Sequence, residues 1–472
     1  MKNGRTVGMT TLRPAWAVLL LFAAVSGCQV QDNKSPQAMI DLPRKFSQSG
    51  TAPLDDRWWH LFNDSQLDAL IEEALSNNFS IRSTWDRLRQ AEQTAVKAGA
   101  PLLPDASYDG QARRNRLETG PVQTYSNSYS AGLAASYELD LWGRVRSVQQ
   151  AAALDAEAAR ENVAAAAITL SAAVARTWYQ LAEAHLQQQV ISRQIETNEK
   201  VLGIITVQFR KSVVGASDVL RQRQLVESSR AQLVQTSETF VTLQHQLSIL
   251  LGRAPSTWWS DSPMQLAEPG DMPDTADPAT LISRRPDIAR AYRAIEAADK
   301  RVAAAVADQY PRISIVAAAE TSAARTSDLF DDWAANLIGN MAGPLFEAGL
   351  RKAEVERARA VTSELVNTYG QTVLQAIREV EDAINQEAWQ RKYIASLTQQ
   401  LALARQVYER TRHRYLSGQL DYLRVLDSLI SQQTLERNEV AARRLLVERR
   451  IDLCRSLAGG WEMQRPEMAE LR

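Results

Sequence analysis

An internal repeat fills most of this chain and limits the folds open to it. Over nearly forty positions and without a gap, residues resemble those found 207 positions later. The matched pairs include Leu75 with Ile282, Ile81 with Ile288, Trp85 with Tyr292 and Pro104 with Pro311. Farther along, the offset becomes 206, as in Gly143 with Gly349 and Phe209 with Tyr415. Two copies of one supersecondary unit are therefore predicted at 66–258 and 278–460.

Each copy predicts the same order of elements: one helix, two strands, a long helix and a return helix. The first helices are expected at 66–100 and 278–308. The strands are expected at 105–117, 125–141, 312–323 and 333–346. The long helices are expected at 143–211 and 349–416, and the return helices at 217–251 and 421–457. At 1.5 Å per residue a long helix extends roughly 100 Å, which no single compact domain requires.

The stretch 125–141 alternates between two kinds of side chain. One set is aromatic or aliphatic and includes Tyr125, Tyr129 and Leu133, whereas the residues between them over 126–136 are small or polar. A period of two is typical of a strand, and this one exceeds the usual length of about 5–6 residues. We expect the aromatic face to contact lipid and the small face to line a lumen. A soluble hairpin that packs its aromatic face on helices is the alternative.

Four strands from one chain cannot close into a barrel, and open sheet edges are not tolerated in lipid. Several copies must therefore pool their strands. Two chains would supply eight strands with a filled interior, and three would supply twelve with a possible pore. The alanine-rich faces of the long helices are expected to pack against neighbouring helices and to build a hollow cylinder.

The N-terminus predicts an export signal that ends in a lipidation site. Lys2 and Arg5 precede an apolar run at 15–25, and the run ends in Val25-Ser26-Gly27 before Cys28. A positive start, a short apolar core and a small-residue exit describe a secretory signal. The small residues before the cysteine resemble a bacterial lipobox, which implies that Cys28 is acylated and begins the mature protein. An ordinary signal peptide followed by a chance cysteine is the alternative.

The sequence contains no recognisable catalytic or metal-binding constellation. Its four histidines are scattered, it has two cysteines, and no P-loop, GxSxG or HExxH motif is found. The net charge of −1 gives no electrostatic argument for a nucleic-acid partner. We therefore expect no enzyme activity, no metal, no cofactor apart from a covalent lipid, and no bound nucleic acid.

Five stretches resemble the TolC-like outer-membrane factor family, in particular its lipoprotein branch found with multidrug efflux pumps. They occur in the family's order inside the repeats and together cover the chain from Cys28 to about Trp461. They read WWHLFNDSQLDALI at 58–71, YELDLWGR at 137–144, LISRRPDI at 281–288, YPRIS at 310–314 and RYLSGQLDYLRVLD at 414–427.

This resemblance implies a mixed, mainly α fold. Three copies would form a twelve-stranded transmembrane β-barrel that continues into a long α-helical coiled-coil tunnel in the periplasm. A mixed equatorial collar would surround the tunnel. The expected division is a signal peptide at 1–27, a lipid-anchored N-terminal segment at 28–65, the two repeats, a linker at 259–277 between them and a C-terminal tail at 461–472.

The resemblance also implies a function and its partners. The protein would be the passive outer-membrane exit duct of a tripartite efflux pump, anchored by an S-diacylglycerol and an N-acyl group on Cys28. It would dock on a periplasmic adaptor through surfaces near 205–225 and 412–430, and through it serve an inner-membrane transporter, expected to be of the RND type. The duct of a type I protein secretion system and a lipid-tethered periplasmic coiled-coil scaffold are the alternatives. Drugs, metal ions, aromatic acids and peptides all stay open as cargo.

The breaks between the long and return helices carry charged residues in opposite order. Asp218 and Arg221 in the first copy align with Arg424 and Asp427 in the second at an offset of 206. Acid and base lie three residues apart in each copy, which places them on one helical face. A trimer would thus hold a ring of carboxylates and guanidinium groups that can pair within or across repeats. Ordinary solvated pairs, worth a few tenths of a kcal/mol each, are the alternative.

In the family, matching positions near this tip close the channel. The resemblance therefore makes Asp218, Arg221, Arg424 and Asp427 candidate gate residues. Two further candidates match the family's tip tyrosine and a constricting apolar position, namely Tyr415 and Leu423. Family members often carry a second acid where Arg424 stands, so a two-tier acidic ring is not expected here. Ser212 likewise stands where a glycine is common in the family.

Overall fold

The computed structural model describes residues 41–52, 55–255 and 265–459. The predicted signal segment 1–27, Cys28 and the predicted tail 461–472 lie outside these residues.

Each repeat begins with two helices rather than the single helix predicted at 66–100 and at 278–308, so that prediction was wrong in both copies. In the first repeat, α1 spans Ser65–Asn77 and α2 spans Phe79–Gly99. Asn78 separates them because its backbone is extended, and its side-chain oxygen accepts hydrogen bonds from the backbone of Ser80 at 2.8 Å and of Ile81 at 3.3 Å. An asparagine with this geometry ends one helix and caps the next.

In the second repeat, α5 spans Pro278–Arg284 and α6 spans Pro286–Ala307. Proline disfavours helical geometry in the residue before it and is well suited to the first turn of a new helix. The break therefore falls at Arg285, whose ψ of 123° is extended.

The four strands form one antiparallel sheet in the order β1-β2-β3-β4. Their bounds are Asp105–Thr119, Val122–Leu139, Arg312–Ala323 and Trp333–Ala342. β1 and β2 meet through Gly120 and Pro121, and Gly120 has the positive φ of 64° that a two-residue turn requires. β4 stops four residues before the predicted end at 346, because Gly343 and Pro344 follow it and proline has no N–H for the ladder.

The register extends the alternation seen in β2 across the whole sheet. Tyr108 pairs with Leu133, which pairs with Ala319, which pairs with Ala335, so these residues share one face. Other members of this apolar face are Tyr125, Tyr129, Tyr137, Leu139, Ile313, Ile315, Trp333, Leu337 and Met341. The opposite face carries mainly serine, alanine, asparagine and charged residues. Tyr108 is 86% and Leu337 76% exposed, so the aromatic face does not pack on the chain's own helices, contrary to the soluble-hairpin alternative.

Two 67-residue helices leave the sheet, α3 at Arg144–Arg210 and α7 at Leu350–Leu416. Each would extend about 100 Å. The return helices are α4 at Ala216–Leu250 and α8 at Tyr422–Leu457. α3 packs against α2, α6, α4 and α8, and α7 packs against α6 and α8. Near the sheet the helices therefore follow the lateral order α2-α3-α6-α7, which repeats the order of the strands. No helix in the described ranges has the length and hydropathy needed to cross a bilayer.

The main core lies midway along the long helices. A short 3₁₀ helix at Trp58–Phe62 inserts Trp58 and Trp59, both fully buried, against α3. The described parts of the N-terminal segment and of the linker pair beside α7, where Ala52 and Pro273 form a parallel bridge and Ser47 bonds to Glu381. This packing brings segments from both ends of the first repeat to one level of the helices.

Candidate functional site

The motif YELDLWGR joins the sheet to the first long helix. Arg144 makes a bidentate ion pair with Glu138 at 2.8–2.9 Å. Asp140 accepts hydrogen bonds from the backbone of Val145 and of Arg146, both at 2.9 Å, at the start of α3. Trp142 donates its indole N–H to the carbonyl of Pro311 at 2.7 Å. These residues set the angle between strand and helix, so the motif has a structural explanation.

The two helical hairpins reverse direction at one end of the molecule, which we call the tip (residues 205–225 and 408–430). Ser212 and Gly418, which align at an offset of 206, both have positive φ, at 59° and 72°. The following backbone N–H groups donate to Gln208 and Arg414 at 2.9 Å in each case. The two turns therefore have the same geometry, which leaves a serine in a conformation that glycine prefers.

An apolar cluster holds the tip together. Its buried members come from both repeats and are Ile205, Val219, Tyr422, Val425 and Leu426. Because α3, α4 and α8 all contribute, the two hairpins are packed together at the tip rather than independent. The cluster covers one side of α8 and leaves its other side exposed.

Two tyrosines link the second repeat to the first at the tip. Tyr415 donates its hydroxyl to the side-chain oxygen of Gln208, and Tyr422 donates to that of Gln222. The two tyrosine rings lie 5.8 Å apart. Burial raises the pKa of both phenols, and the nearby charge of Asp218 raises them further. Both phenols therefore stay protonated as donors at physiological pH.

Sequence reasoning found Tyr415 but missed Tyr422. Tyr422 aligns with Ala216 in the first repeat, so the repeat carried no signal for it. The only hint was its place inside the quoted stretch 414–427.

The predicted acid–base pairs do not form within the described residues of one protomer. Asp218 instead accepts a hydrogen bond from the backbone of Gly215 at 3.3 Å and completes the start of α4. Arg221, Arg424 and Asp427 are exposed, and no ion pair within 4.0 Å joins any two of these four residues. Carboxylates at the first turn of a helix are drawn to its free N–H groups, which explains why Asp218 turns to its own backbone.

The exposed side of α8 carries the remaining gate candidates. Leu423 is 41% exposed, and Asp427, one helical turn later, is exposed on the same side. Asp421 accepts a hydrogen bond from the backbone N–H of Arg424 at 3.2 Å and caps the helix. This cap, which sequence reasoning missed, leaves Asp427 free of any role in the helix start.

The described residues contain no cluster of three or more side chains suited to hold a metal ion. Cys454 is completely buried, and burial raises the pKa of its thiol to about 12. A thiol with that pKa is neutral and unreactive at physiological pH.

Both repeats match the same family of known proteins. The family model described as "Outer membrane efflux protein" matches residues 70–253 and 278–459. These two segments fall within the two predicted repeats.

Individual relatives match over nearly the whole chain. The pyoverdine export outer membrane protein OpmQ of Pseudomonas aeruginosa is 32% identical over 449 residues, covering 90% of this chain and 92% of that protein. The cation efflux system protein CusC of Escherichia coli O6:H1 is 28% identical over 472 residues, covering 93% and 97%. Among solved structures, the outer-membrane channel OprN superposes with a TM-score of 0.80 at 25% identity, covering 90% of this chain and 99% of that one.

Proposed function

The chain belongs to the outer membrane efflux protein family, and we propose that it forms the exit duct of a tripartite pump whose gate lies at the tip. The fold class, the family and the outer-membrane location predicted from the sequence are confirmed by these matches. The family forms trimeric outer-membrane channels, and its members are passive channels. We accordingly assign this chain a role in conduction and no catalytic role.

The observation that carries the duct is the open sheet. β1 and β4 are edge strands in the protomer, and the sheet has one apolar and one polar face. Three copies placed edge to edge would give twelve strands, enough for a water-filled lumen. The apolar face, with its exposed tyrosines and leucines, would then contact lipid, and the polar face would line the pore.

Reconstitution tests the duct directly. The purified mature protein should run as a trimer by native mass spectrometry and should pass ions across a planar lipid bilayer. A monomeric protein that conducts no ions would contradict the duct and would favour the lipid-tethered scaffold.

We infer that the partners are a periplasmic adaptor and an RND-type inner-membrane transporter. The helix surfaces near 205–225 and 412–430 suit adaptor docking because they lie at the end of the 100 Å helices farthest from the sheet. They also expose Val213, Leu220 and Leu416, each at least 59% exposed. Site-specific photocrosslinkers at these three positions should capture a single adaptor in cells. Capture only from positions near the sheet would contradict this docking.

The relatives' names describe different cargo, pyoverdine in one and cations in the other. We propose that the duct does not select its cargo and that selection belongs to the transporter. Exchanging the transporter while keeping this duct should change which compounds are exported.

Acylation of Cys28 is proposed from the lipobox alone, since Cys28 lies outside the described residues. Radiolabelled palmitate should attach to the wild type and not to Cys28→Ser. The variant should still insert, because the barrel also anchors the protein. An unlabelled wild type would dismiss the lipid anchor.

The gate is proposed to be formed by Asp427 and Leu423, which three copies would bring together around the tunnel axis, with Arg221 and Arg424 as partners across copies. Tyr415 and Asp218 are proposed to stabilise the helices that carry the gate. Tyr415 does so through its hydrogen bond to Gln208, and Asp218 through its hydrogen bond at the start of α4. The supporting observation is that Arg221, Arg424 and Asp427 are all unpaired in the described protomer, so their ionic partners can come from a neighbouring copy.

Single-channel conductance tests this gate. Asp427→Ala should increase conductance at rest, because it removes one side of the ion pairs. Asp427→Arg should increase it as well, and adding Arg221→Asp should restore closure. Glu409→Ala is the matched control, since Glu409 is an exposed acid on α7 that pairs with Arg412 of its own helix. Equal conductance of Asp427→Ala and wild type would place the gate elsewhere.

A further inference from the structure

Polar contacts tie α8 to α3 along most of its length. They run from the core toward the tip, and each joins a side chain of the first repeat to α8. In that order they are Arg176 with Asp452, Glu183 with Arg444, Gln187 with the carbonyl of Arg437, Gln194 with the carbonyl of Gln433, and Asn198 with the side chain of Gln433. The last is the contact nearest the tip in this series.

The contact between Asn198 and Gln433 is reciprocal and fully buried. The Gln433 amide donates to the Asn198 side-chain oxygen at 2.8 Å, and the Asn198 amide donates back at 3.3 Å. The Asn198 amide also donates to the hydroxyl of Ser229 on α4 at 3.1 Å. Asn198 is 0% and Gln433 4% exposed. Water cannot replace these bonds without opening the helices, so separation here would leave buried amides unsatisfied.

Between Gln433 and the tip, α8 contacts the first repeat mainly through apolar packing rather than through polar contacts. Between Gln433 and Tyr422, the described residues of α8 meet the first repeat through apolar packing of Val425 and Leu426. The next hydrogen bond is the one from Tyr422 to Gln222, whose own amide donates to the backbone carbonyl of Asn198 at 2.7 Å. The tip of α7 is held to the first repeat by the bond from Tyr415 to Gln208.

The second repeat lacks the equivalent polar contact. At an offset of 206, Asn198 aligns with Ala404 and Gln222 aligns with Ser428, which bonds only to its own helix at Val425. A helical hairpin of this repeat can therefore form without the amides. The amides have no counterpart at the aligned positions of the second repeat, which points to a role in the packing of the two hairpins against each other.

We propose that Asn198 and Gln433 are positioning residues that form a pivot, about which the end of α8 at 422–432 moves when the gate opens. This inference deepens the proposed gate and rests on it for its functional meaning. The end below the pivot is eleven residues long, about 16 Å, and a tilt of about 15° moves its tip by about 4 Å. Opening releases the two tyrosine bonds, while the buried amides keep α8 in register with α3.

Backbone hydrogen exchange of the intact trimer, followed by mass spectrometry, tests where the motion stops. Tyr422→Phe removes one hydroxyl and keeps the ring. It should speed exchange in peptides over 419–432 on the order of tenfold and leave 434–445 unchanged, as expected for one lost hydrogen bond to a buried acceptor. Tyr393→Phe is the matched control, because Tyr393 is 51% exposed on α7. Faster exchange of 434–445 in Tyr422→Phe alone would overturn the pivot.

A second substitution tests the amides themselves. Adding Asn198→Ala to Tyr422→Phe should extend the faster exchange past Gln433 into 434–445. Asn385→Ala, a matched change at an exposed asparagine that bonds only to its own helix, should not. If the boundary stays at Gln433 in the presence of Asn198→Ala, the amides do not position α8 and the proposal fails. Gln433→Ala provides the same test should Asn198→Ala not assemble.

The exchange boundary is independent of conductance. If Asp427→Ala leaves conductance unchanged, the gate residues are wrong, yet the boundary at Gln433 can still be measured. If the boundary is absent while Asp427→Ala conducts more, the gate stands and the pivot falls.

Discussion

At the scale of single residues, the two turns at the tip differ in whether the residue with positive φ carries a Cβ. Ser212 holds a φ of 59°, whereas its counterpart Gly418 holds 72° with no Cβ to strain. Left-handed geometry destabilises a residue that has a Cβ by roughly 1–2 kcal/mol. Glycine avoids this strain, but its unfolded chain has more conformational entropy to lose on folding, which offsets part of the advantage. The repeat aligned the two positions, but only the backbone angles show that both turns have the same conformation.

Ser212→Gly should therefore stabilise the turn by about 0.5–1 kcal/mol, and Gly418→Ala should destabilise it by about 1 kcal/mol. A Cβ at Gly418 would meet no atom within 4 Å, so its effect comes from the backbone alone. Hydrogen exchange of the two turns in the assembled protein measures both changes. Slower exchange in Gly418→Ala would contradict the argument.

At the scale of elements, the start of each long helix is where strand and helix meet. Asp140 caps α3 with two hydrogen bonds to its backbone, whereas the aligned position in the second repeat is Phe346, which cannot accept one. The motif was recognised from the sequence by its letters. The structure was needed to show that Asp140 is the cap and that Glu138 forms the adjacent ion pair with Arg144. Several acids lie close together in YELDLWGR, so the sequence does not distinguish their roles.

Asp140→Ala should weaken the start of α3 by about 0.5–2 kcal/mol, the usual cost of losing a helix cap. Exchange of amides over 144–148 should then rise toward that of 350–354 in α7. Asp140→Asn should fall between Asp140→Ala and the wild type, since asparagine retains only one of the two acceptor oxygens that Asp140 uses. Equal exchange rates in Asp140→Ala and wild type would contradict the capping role of Asp140.

At the scale of the whole molecule, one buried ion pair joins the second repeat to the linker that precedes it. Arg450 on α8 binds Glu387 on α7 at 2.7 and 2.8 Å and also donates to the carbonyls of Gly270 and Asp271. Arg450 and Glu387 are 3% and 1% exposed as side chains. Burial opposes the charge on Glu387, but the hydrogen bonds and charges of Arg450 and Arg391 hold its pKa below the usual 4.5.

Glu387→Gln should destabilise the protein by about 3–5 kcal/mol at neutral pH, because it leaves the Arg450 charge buried without a partner. A lowered carboxyl pKa contributes stability that is present above about pH 4.5 and is lost as the pH falls through the folded-state pKa. The wild type should therefore lose stability on acidification more steeply than the variant. Thermal unfolding across this pH range measures both effects, with the exposed Glu409→Gln as control. Parallel pH profiles for variant and wild type would refute the assignment.

The elements that depend on local pattern can be predicted from the amino-acid sequence. The alternation of β2, the lengths of α3 and α7 and the strand–helix motifs all follow from residues close together in the chain, and the repeat follows from comparing two stretches of sequence. The structure has these elements within a few residues of the predicted bounds. The errors were at Asn78 and Arg285, where a cap and a proline divide one apolar helical pattern into two helices. Periodicity reports which side of an element is apolar and does not register such a break.

Which polar groups form hydrogen bonds with each other depends on how the helices pack. Asp218 turned to its own helix start rather than to Arg221, Tyr422 reached Gln222, and Asn198 met Gln433, 235 positions away in the chain. A polar side chain satisfies whichever donor or acceptor packing brings within about 3 Å, and that choice depends on helices from different repeats meeting at one level. The register that spreads one apolar face over four strands was decided in the same way, because strand pairing is a contact between distant segments.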